Sequence, residues 1–187
     1  MNHAVLNQAP LFEGRNLYTT DPFLQTIVES LTGTAFSELL TKFGAESGTN
    51  ARFEAGRLAN EHSPTLRTFD RFGHRINEVE YHPSYHELMQ FSMANGLHTS
   101  PWQDPQDGRL LARCAQNYMM TQVEAGHGCP ITMTFAAVPA LKSAGGAGEA
   151  WIPKLLSTEY DARNLPAHQK TACTVGMAMT EKQGGSD

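Results

Sequence analysis

Arg109-Leu-Leu-Ala-Arg-Cys-Ala-Gln-Asn-Tyr-Met-Met-Thr-Gln-Val-Glu-Ala125 is the stretch on which the fold turns. Leu111, Ala115, Met119 and Val123 recur at four-residue steps, the spacing that gathers side chains on one helical face. Leu110, Cys114 and Tyr118 widen the stripe. A helix apolar over that width belongs at the centre of a core, so the pattern predicts the longest helix of a mainly α domain. Gly126, Gly128 and Pro130 break it sharply. The next run, residues 131–141, is almost wholly uncharged and small. Pro139 is expected to kink or end it, because its ring conflicts with the carbonyl one turn earlier.

Working outward, Asp21-Pro22 reads as a helix cap followed by a first-turn proline, with Phe23, Ile27 and Leu31 on one face. A second helix is expected over 36–43, stopping at Gly44, and a third over 50–60. Residues 64–82, rich in β-formers around Phe72-Gly73, read as a small hairpin or extended loop. Another helix spans 83–95 and stops at Gly96, with Tyr85, Leu88, Met89 and Phe91 apolar. Asp104, Pro105, Asp107 and Gly108 mark 101–108 as a loop. A short helix over 149–156, a loop over 160–169 and an uncharged strand over 171–179 complete the pattern. The organisation predicted is an extended arm (1–20), a helical domain (21–168) and the start of a β-domain (169–187). A strand followed by a Gly-rich turn should lead into a sheet, so the chain is read as the front part of something longer, with apolar patches left exposed.

Composition bounds the function. The 187 residues carry 14 Lys+Arg against 19 Asp+Glu, a net charge of −5, with 40% apolar and 18% charged residues. That is enough apolar surface for a folded domain. No stretch approaches the ~20 apolar residues of a membrane helix. The amino-terminal residues show neither the basic nor the apolar region of a secretory signal. Three cysteines, Cys114, Cys129 and Cys173, are odd in number and form no CxxC pair. A reducing, cytoplasmic setting follows. The absence of a Lys/Arg run gives no electrostatic footprint for nucleic acid.

The chemistry concentrates in Met177-Ala-Met-Thr-Glu-Lys-Gln-Gly-Gly-Ser-Asp187. Thr180 offers a hydroxyl, Gly184 and Gly185 permit close backbone approach, and Ser186 adds a hydroxyl in a turn whose N–H groups suit an anion. A planar polar ring at Thr180 and a phosphate at Ser186 fit this layout, although spacing alone is also that of an ordinary exposed turn. His82 and His86, with Glu87 beside, stand at a zinc-like spacing. Pro83 puts His82 at a cap and HExxH is absent, so ordinary cap and surface histidines, and no metal, are expected. His127 and Cys129 flank Gly128, but nothing in the sequence orients them, and Cys129 is expected to be a buried thiol. Met119, Met120, Met133, Met177 and Met179 suggest an apolar pocket or generic core filler. Neither GxGxxG nor a P-loop occurs.

The closing stretch resembles the flavin-binding signature of the acyl-CoA dehydrogenase family, T-E-x-x-x-G-S-D, matched at Thr180, Glu181, Gly185, Ser186 and Asp187. The run from Gly148 to Leu156 is similar to that family's helix before its sheet domain. Asn16-Leu-Tyr18, His82-Pro83, Gln122 to Gly126, Cys129 to Ala137 and Gly176-Met177 look like the alkylation-response, AidB-like branch, and Lys182-Gln183 in the signature spacer fits it. The resemblance implies the N-terminal helical bundle domain of the acyl-CoA dehydrogenase fold, ending at the first strand of the middle β-domain. It implies FAD as cofactor. Met177, Ala178 and Met179 then border the isoalloxazine ring, Thr180 bonds its pyrimidine side, Gly185 lies close to it, and Ser186 contacts the pyrophosphate or acyl thioester. Thr132, Thr134 and Phe135, with Ser186, approach the acyl pocket. The family's reaction is α,β-dehydrogenation of an acyl-CoA, in which a carboxylate base takes the α-proton and the β-hydrogen leaves as hydride. That base belongs to a C-terminal helical domain, so no catalytic residue is carried over to this chain. A homotetramer, and DNA contact through that same missing domain, are further implications. Two other readings stand beside the enzyme fragment: a DNA-associated adaptor built on the dehydrogenase scaffold, and a helical interaction module with no ligand.

Overall fold

Side-chain caps start three of the helices. Asp21 Oδ1 accepts the Leu24 N–H at 2.9 Å, Thr49 Oγ1 that of Arg52 at 3.2 Å, and His82 Nδ1 that of Ser84 at 3.2 Å. The structure, a computed structural model, describes residues 5–178. Its elements are α1 (Pro22–Thr32), α2 (Ser37–Ser47), α3 (Asn50–Glu61), strands β1 (Thr65–Phe69) and β2 (Arg75–Glu80), α4 (Pro83–Ala94), α5 (Ser100–Gln103), α6 (Arg109–Val123), α7 (Gly128–Ala144), α8 (Gly146–Glu149), α9 (Ile152–Leu155) and a 3₁₀ turn, Ala167–Gln169. The mainly α reading holds. The two strands form one antiparallel hairpin in which Leu66 faces Val79 and the register shifts between Arg67 and Phe69. Among the described residues no helix is long and apolar enough to cross a membrane.

α6 is central and its stripe of Ala115, Met119 and Val123 is the covered one, but the buried face widens on the other side from Leu110, Cys114 and Tyr118. Ala112, Ala115, Met119, Met120 and Val123 are buried, together with the polar Arg113 and Gln116. Leu110, Cys114 and Tyr118 turn outward. On α1, Val28 is buried while Phe23 and Leu31 stay 74% and 69% exposed. Helical spacing defines a face, and neighbouring elements decide which face is covered. The expectation of exposed apolar patches is met at this place.

Gly44 does not end α2, which continues to Ser47. Its role is close approach. A Cβ there would lie 2.6 Å from the Tyr18 nitrogen. Without one, the Leu17 N–H reaches the Gly44 carbonyl at 3.0 Å, and Asn16 Nδ2 donates to the Thr41 carbonyl at 2.9 Å. Leu17 and Tyr18 thereby enter the core.

Pro139 does not end its helix. α7 runs for 17 residues, against 15 for α6, so the longest helix is the later one. Residue 139 has no N–H to give the Phe135 carbonyl. The Trp102 indole N–H supplies that bond at 2.9 Å. Trp102 reaches it because residues 100–103, expected as the edge of a loop, form the turn α5, with Pro101 at its start. The Trp102 and Phe135 rings stack with centroids 4.8 Å apart, and the Arg113 guanidinium lies 4.1 Å from the Phe135 ring centroid. Downstream, the helix expected over 149–156 is instead two single turns, α8 and α9. The strand expected over 171–179 has no ladder partner among the described residues. A strand is stabilised through its neighbour, and here the backbone N–H groups of Cys173 and Val175 go to the Lys154 carbonyl and the Thr134 hydroxyl.

Trp102→Phe should cost about 1 kcal/mol in urea unfolding, because it leaves a part-buried carbonyl without its donor. In a Pro139→Ala background, where residue 139 regains its own donor, most of that cost should vanish. Equal costs in both backgrounds would refute the shared-carbonyl account.

Candidate functional site

Met133, Ala136, Ala137, Ala140 and Leu141 occupy one outward stripe of α7. Three of these five are alanines, so the stripe forms a depression. Trp151 and residues 174–177 raise the facing wall, and the trough between has a volume of about 570 Å³. None of its lining side chains is ionisable. Gly148 lets the chain fold back at the end of α7, since a Cβ there would collide with the Leu141 carbonyl oxygen and lie 3.0 Å from its carbon. The Trp151 N–H then bonds the Gly148 carbonyl at 3.0 Å.

The wall is hung on side-chain bonds. Thr134 Oγ1 donates to the Pro130 carbonyl at 2.7 Å and accepts the Val175 N–H at 3.0 Å. Lys154 Nζ donates to the carbonyls of Ala167 and, at 2.8 Å, Lys170. Asp161 accepts the Thr171 N–H at 3.0 Å and two bonds from the Arg163 guanidinium at 2.6 and 2.8 Å. The Arg163 guanidinium above all, with the Thr171 and Arg163 N–H groups, holds the Asp161 carboxyl well below the usual carboxylate range against the opposing effect of burial.

The floor is braced at the start of α7. Glu124, three residues before His127, accepts the His127 Nδ1–H at 2.7 Å and the His127 and Gly126 backbone N–H groups at 2.7 and 2.6 Å. His127 Nε2 then accepts the Ser92 hydroxyl at 2.8 Å. Asn60 Nδ2 donates to the same carboxylate at 3.3 Å. One buried acid thus ties α3, α4, α6 and α7 together. Burial opposes its ionisation, yet the bonds from His127 and Gly126 win, and its carboxyl is held down to about 2. Carboxylate, imidazole and hydroxyl stand in the order of a hydrolytic relay. Ser92 is 0% exposed, however, so no substrate reaches it and the chain acts as a brace.

The residues singled out in the sequence fall into three groups. Met177 lines the trough, and Ala178 follows it as an exposed residue. Met179, Thr180, Gly185 and Ser186 lie outside the described residues. Thr134 anchors the wall from its buried hydroxyl, Thr132 is exposed, and Phe135 packs against Trp102 and Arg113; none of the three lines the trough. Met133 and Met177 belong to the trough, whereas Met119 and Met120 are core. Cys129 is exposed rather than buried, and the imidazole beside it turns away to Glu124 and Ser92. His82 caps α4, and His86 Nδ1 lies 2.8 Å from the Tyr160 hydroxyl. The sequence reading missed Ala136, Ala137, Ala140 and Trp151. Alanine carries no chemical signal, and its meaning here is the space that it leaves.

Residues 7–162 match the family model of the adaptive response protein AidB N-terminal domain. AidB of Escherichia coli (strain K12) is 42% identical over 99% of this chain and 35% of its own length. Acyl-CoA dehydrogenase family member 11 of Caenorhabditis elegans is 29% identical over 92% of this chain and 28% of its own length. The crystal structure of Caenorhabditis elegans ACDH-11 in complex with C11-CoA superposes with a TM-score of 0.80 at 25% identity, covering 100% of this chain and 32% of that one. The chain therefore spans about a third of the length of the curated relatives it matches.

The Glu124 brace has a pH signature. Its carboxyl is depressed in the fold, from 4.5 to about 2, so the stabilisation is complete above about pH 4.5 and is lost as the pH falls toward 2. Glu124→Gln should lower stability at neutral pH by roughly 2 kcal/mol and flatten that acid limb. Urea midpoints for both proteins between pH 7 and pH 3 measure this, and parallel limbs would contradict the assignment.

Proposed function

The chain belongs to the AidB N-terminal domain family, and from that premise we propose that it is the N-terminal part of an FAD-dependent acyl-CoA dehydrogenase-like protein of the alkylation-response type. One observation carries the reading: an apolar trough without ionisable side chains runs directly into Met177, three residues before the signature threonine. Its size and lining suit the hydrocarbon part of a thioester, and Met177 and Ala178 suit the edge of a planar ring. The described residues therefore fit the two groups that the family reading requires. Bound FAD would supply the acceptor for the β-hydride of the acyl chain.

This chain's own residues bind, orient and exclude water. The alanines of α7 leave room for an acyl chain, and Met133, Leu141 and Trp151 remove its surface from water. Thr134 fixes the backbone at Val175, two residues before the ring edge at Met177. Thr180 and Ser186 offer hydroxyls to the pyrimidine and to a phosphate or thioester oxygen, with Gly185 admitting backbone approach, and Met179 completes the apolar border. The base for the α-proton lies in the part of the protein beyond this chain. In this reading residues 169–187 open a second domain, the assembled protein is a cytoplasmic homo-oligomer, and any DNA contact uses the C-terminal part.

Two measurements test the proposal. In the full-length protein that carries this domain, Thr180→Ala/Ser186→Ala should remove most of the visible flavin absorbance, and an unchanged flavin content would overturn the site. Ala137→Phe, which fills the trough, should weaken binding of a medium-chain acyl-CoA by about tenfold, the equivalent of ~1.4 kcal/mol, and leave flavin content unchanged. Unaltered acyl-CoA affinity would remove the trough from the acyl site.

A further inference from the structure

A second cavity, of about 540 Å³, lies between α2, the end of α4, α5 and α6, and it shares no lining residue with the trough. That volume suits a small organic molecule. Its floor is polar. Ser100 of α5 is 5% exposed, and Gln116, 2% exposed, follows Arg109 by about two turns of α6. The Ser100 hydroxyl oxygen and Arg109 Nε are both buried without a hydrogen-bond partner among the described residues. Buried donors are almost always satisfied, so two orphans beside one cavity point to a ligand.

The charges around the cavity say what would fit. Asp104, the acid nearest Arg109, accepts the Gln106 side-chain amide at 2.7 Å and stays 3.8 Å from Arg109 Nε. Glu38 stands in the first turn of α2, where the helix dipole favours a carboxylate. The cations are less engaged. Lys42 lines the same cavity and comes no nearer than 4.0 Å to Glu46. α6 starts at Gly108 with no side-chain cap and no acid in its first turn, so the positive end of a 15-residue helix also lies at Arg109. A guanidinium, an ammonium group and an uncapped helix start select an anion. A doubly charged phosphate would be opposed by Glu38 and Asp104, whereas a planar, singly charged carboxylate matches the guanidinium fork. Leu39 and Phe43 of α2 offer an apolar wall for the carbon skeleton. We infer that this cavity binds a small organic monocarboxylate, its charged end on Arg109 beside Ser100 and Gln116 and its carbon skeleton against α2.

Saturation-transfer NMR on the full-length protein that carries this domain tests the site, with butyrate and lactate as probes and butyramide, lactamide and inorganic phosphate as controls. Both carboxylates should bind with a Kd below about 10 mM, and the controls at least about tenfold more weakly. Arg109→Gln should weaken both carboxylates at least about tenfold and leave flavin content unchanged, which separates this site from the flavin reading. Ser100→Ala removes an oxygen that bonds no other residue, so it should weaken the carboxylates without lowering the Tm of the unliganded protein. That variant decides the matter if Arg109→Gln does not fold. Carboxylates that fail to bind, amides or phosphate that bind as tightly, or affinities indifferent to the folded variant overturn the inference.

Discussion

A single carbonyl, that of Phe135, governs how the trough-bearing face of this domain is built. A proline four residues on denies it the normal helical donor, and an interior proline costs about 3 kcal/mol when nothing compensates. Here a donor arrives from outside the helix. The Trp102 indole bonds the freed oxygen and stacks on the same residue's ring, while Arg113 covers that ring as well. Because the bond is replaced, α7 continues past Pro139. Ala136, Ala137 and Ala140 therefore lie on one continuous helix and line the trough together.

Floor and wall are held by different physics. The floor is a packed helix braced at its start by the buried Glu124–His127–Ser92 chain, whose members are almost wholly removed from water. The wall is a strip of irregular backbone held by a hydroxyl, an ammonium group and a carboxylate. Few bonds must break for such a strip to open locally, so its opening free energy falls well below that of the helical core. A rigid surface facing an adjustable one suits a site that must admit a flexible chain and then surround it. The same contrast explains the unpaired strip: its amide hydrogens are engaged by side chains of the bundle, in place of a neighbouring strand.

Much of this was legible in the sequence, for identifiable reasons. Asp21-Pro22 and His82-Pro83 are local signals, and local chemistry decides where a helix starts. The hairpin around Phe72-Gly73 was legible because turn and strand preferences agree. What failed depended on distant partners. Gly44 looks like a helix stop until Tyr18 is known to press against it. Pro139 looks like a break until Trp102 is known to lie beside it. The outward side of Leu110 and Tyr118 depends on which neighbour covers α6. At the site, Thr134 drew notice for its hydroxyl and proved to anchor backbone, while the residues that shape the trough are ones whose importance lies in being small. Cys129 and His127 were adjacent in sequence, yet the imidazole found its partners at positions 92 and 124.

The sharing of one acceptor by two residues also imposes a direction on descent. A lineage that first loses the proline recovers an ordinary helical amide, after which the indole is free to drift. A lineage that first loses the indole leaves the part-buried oxygen without that donor, at a cost in stability. The two positions are thus energetically asymmetric: the order in which they change decides whether the carbonyl is ever without a donor.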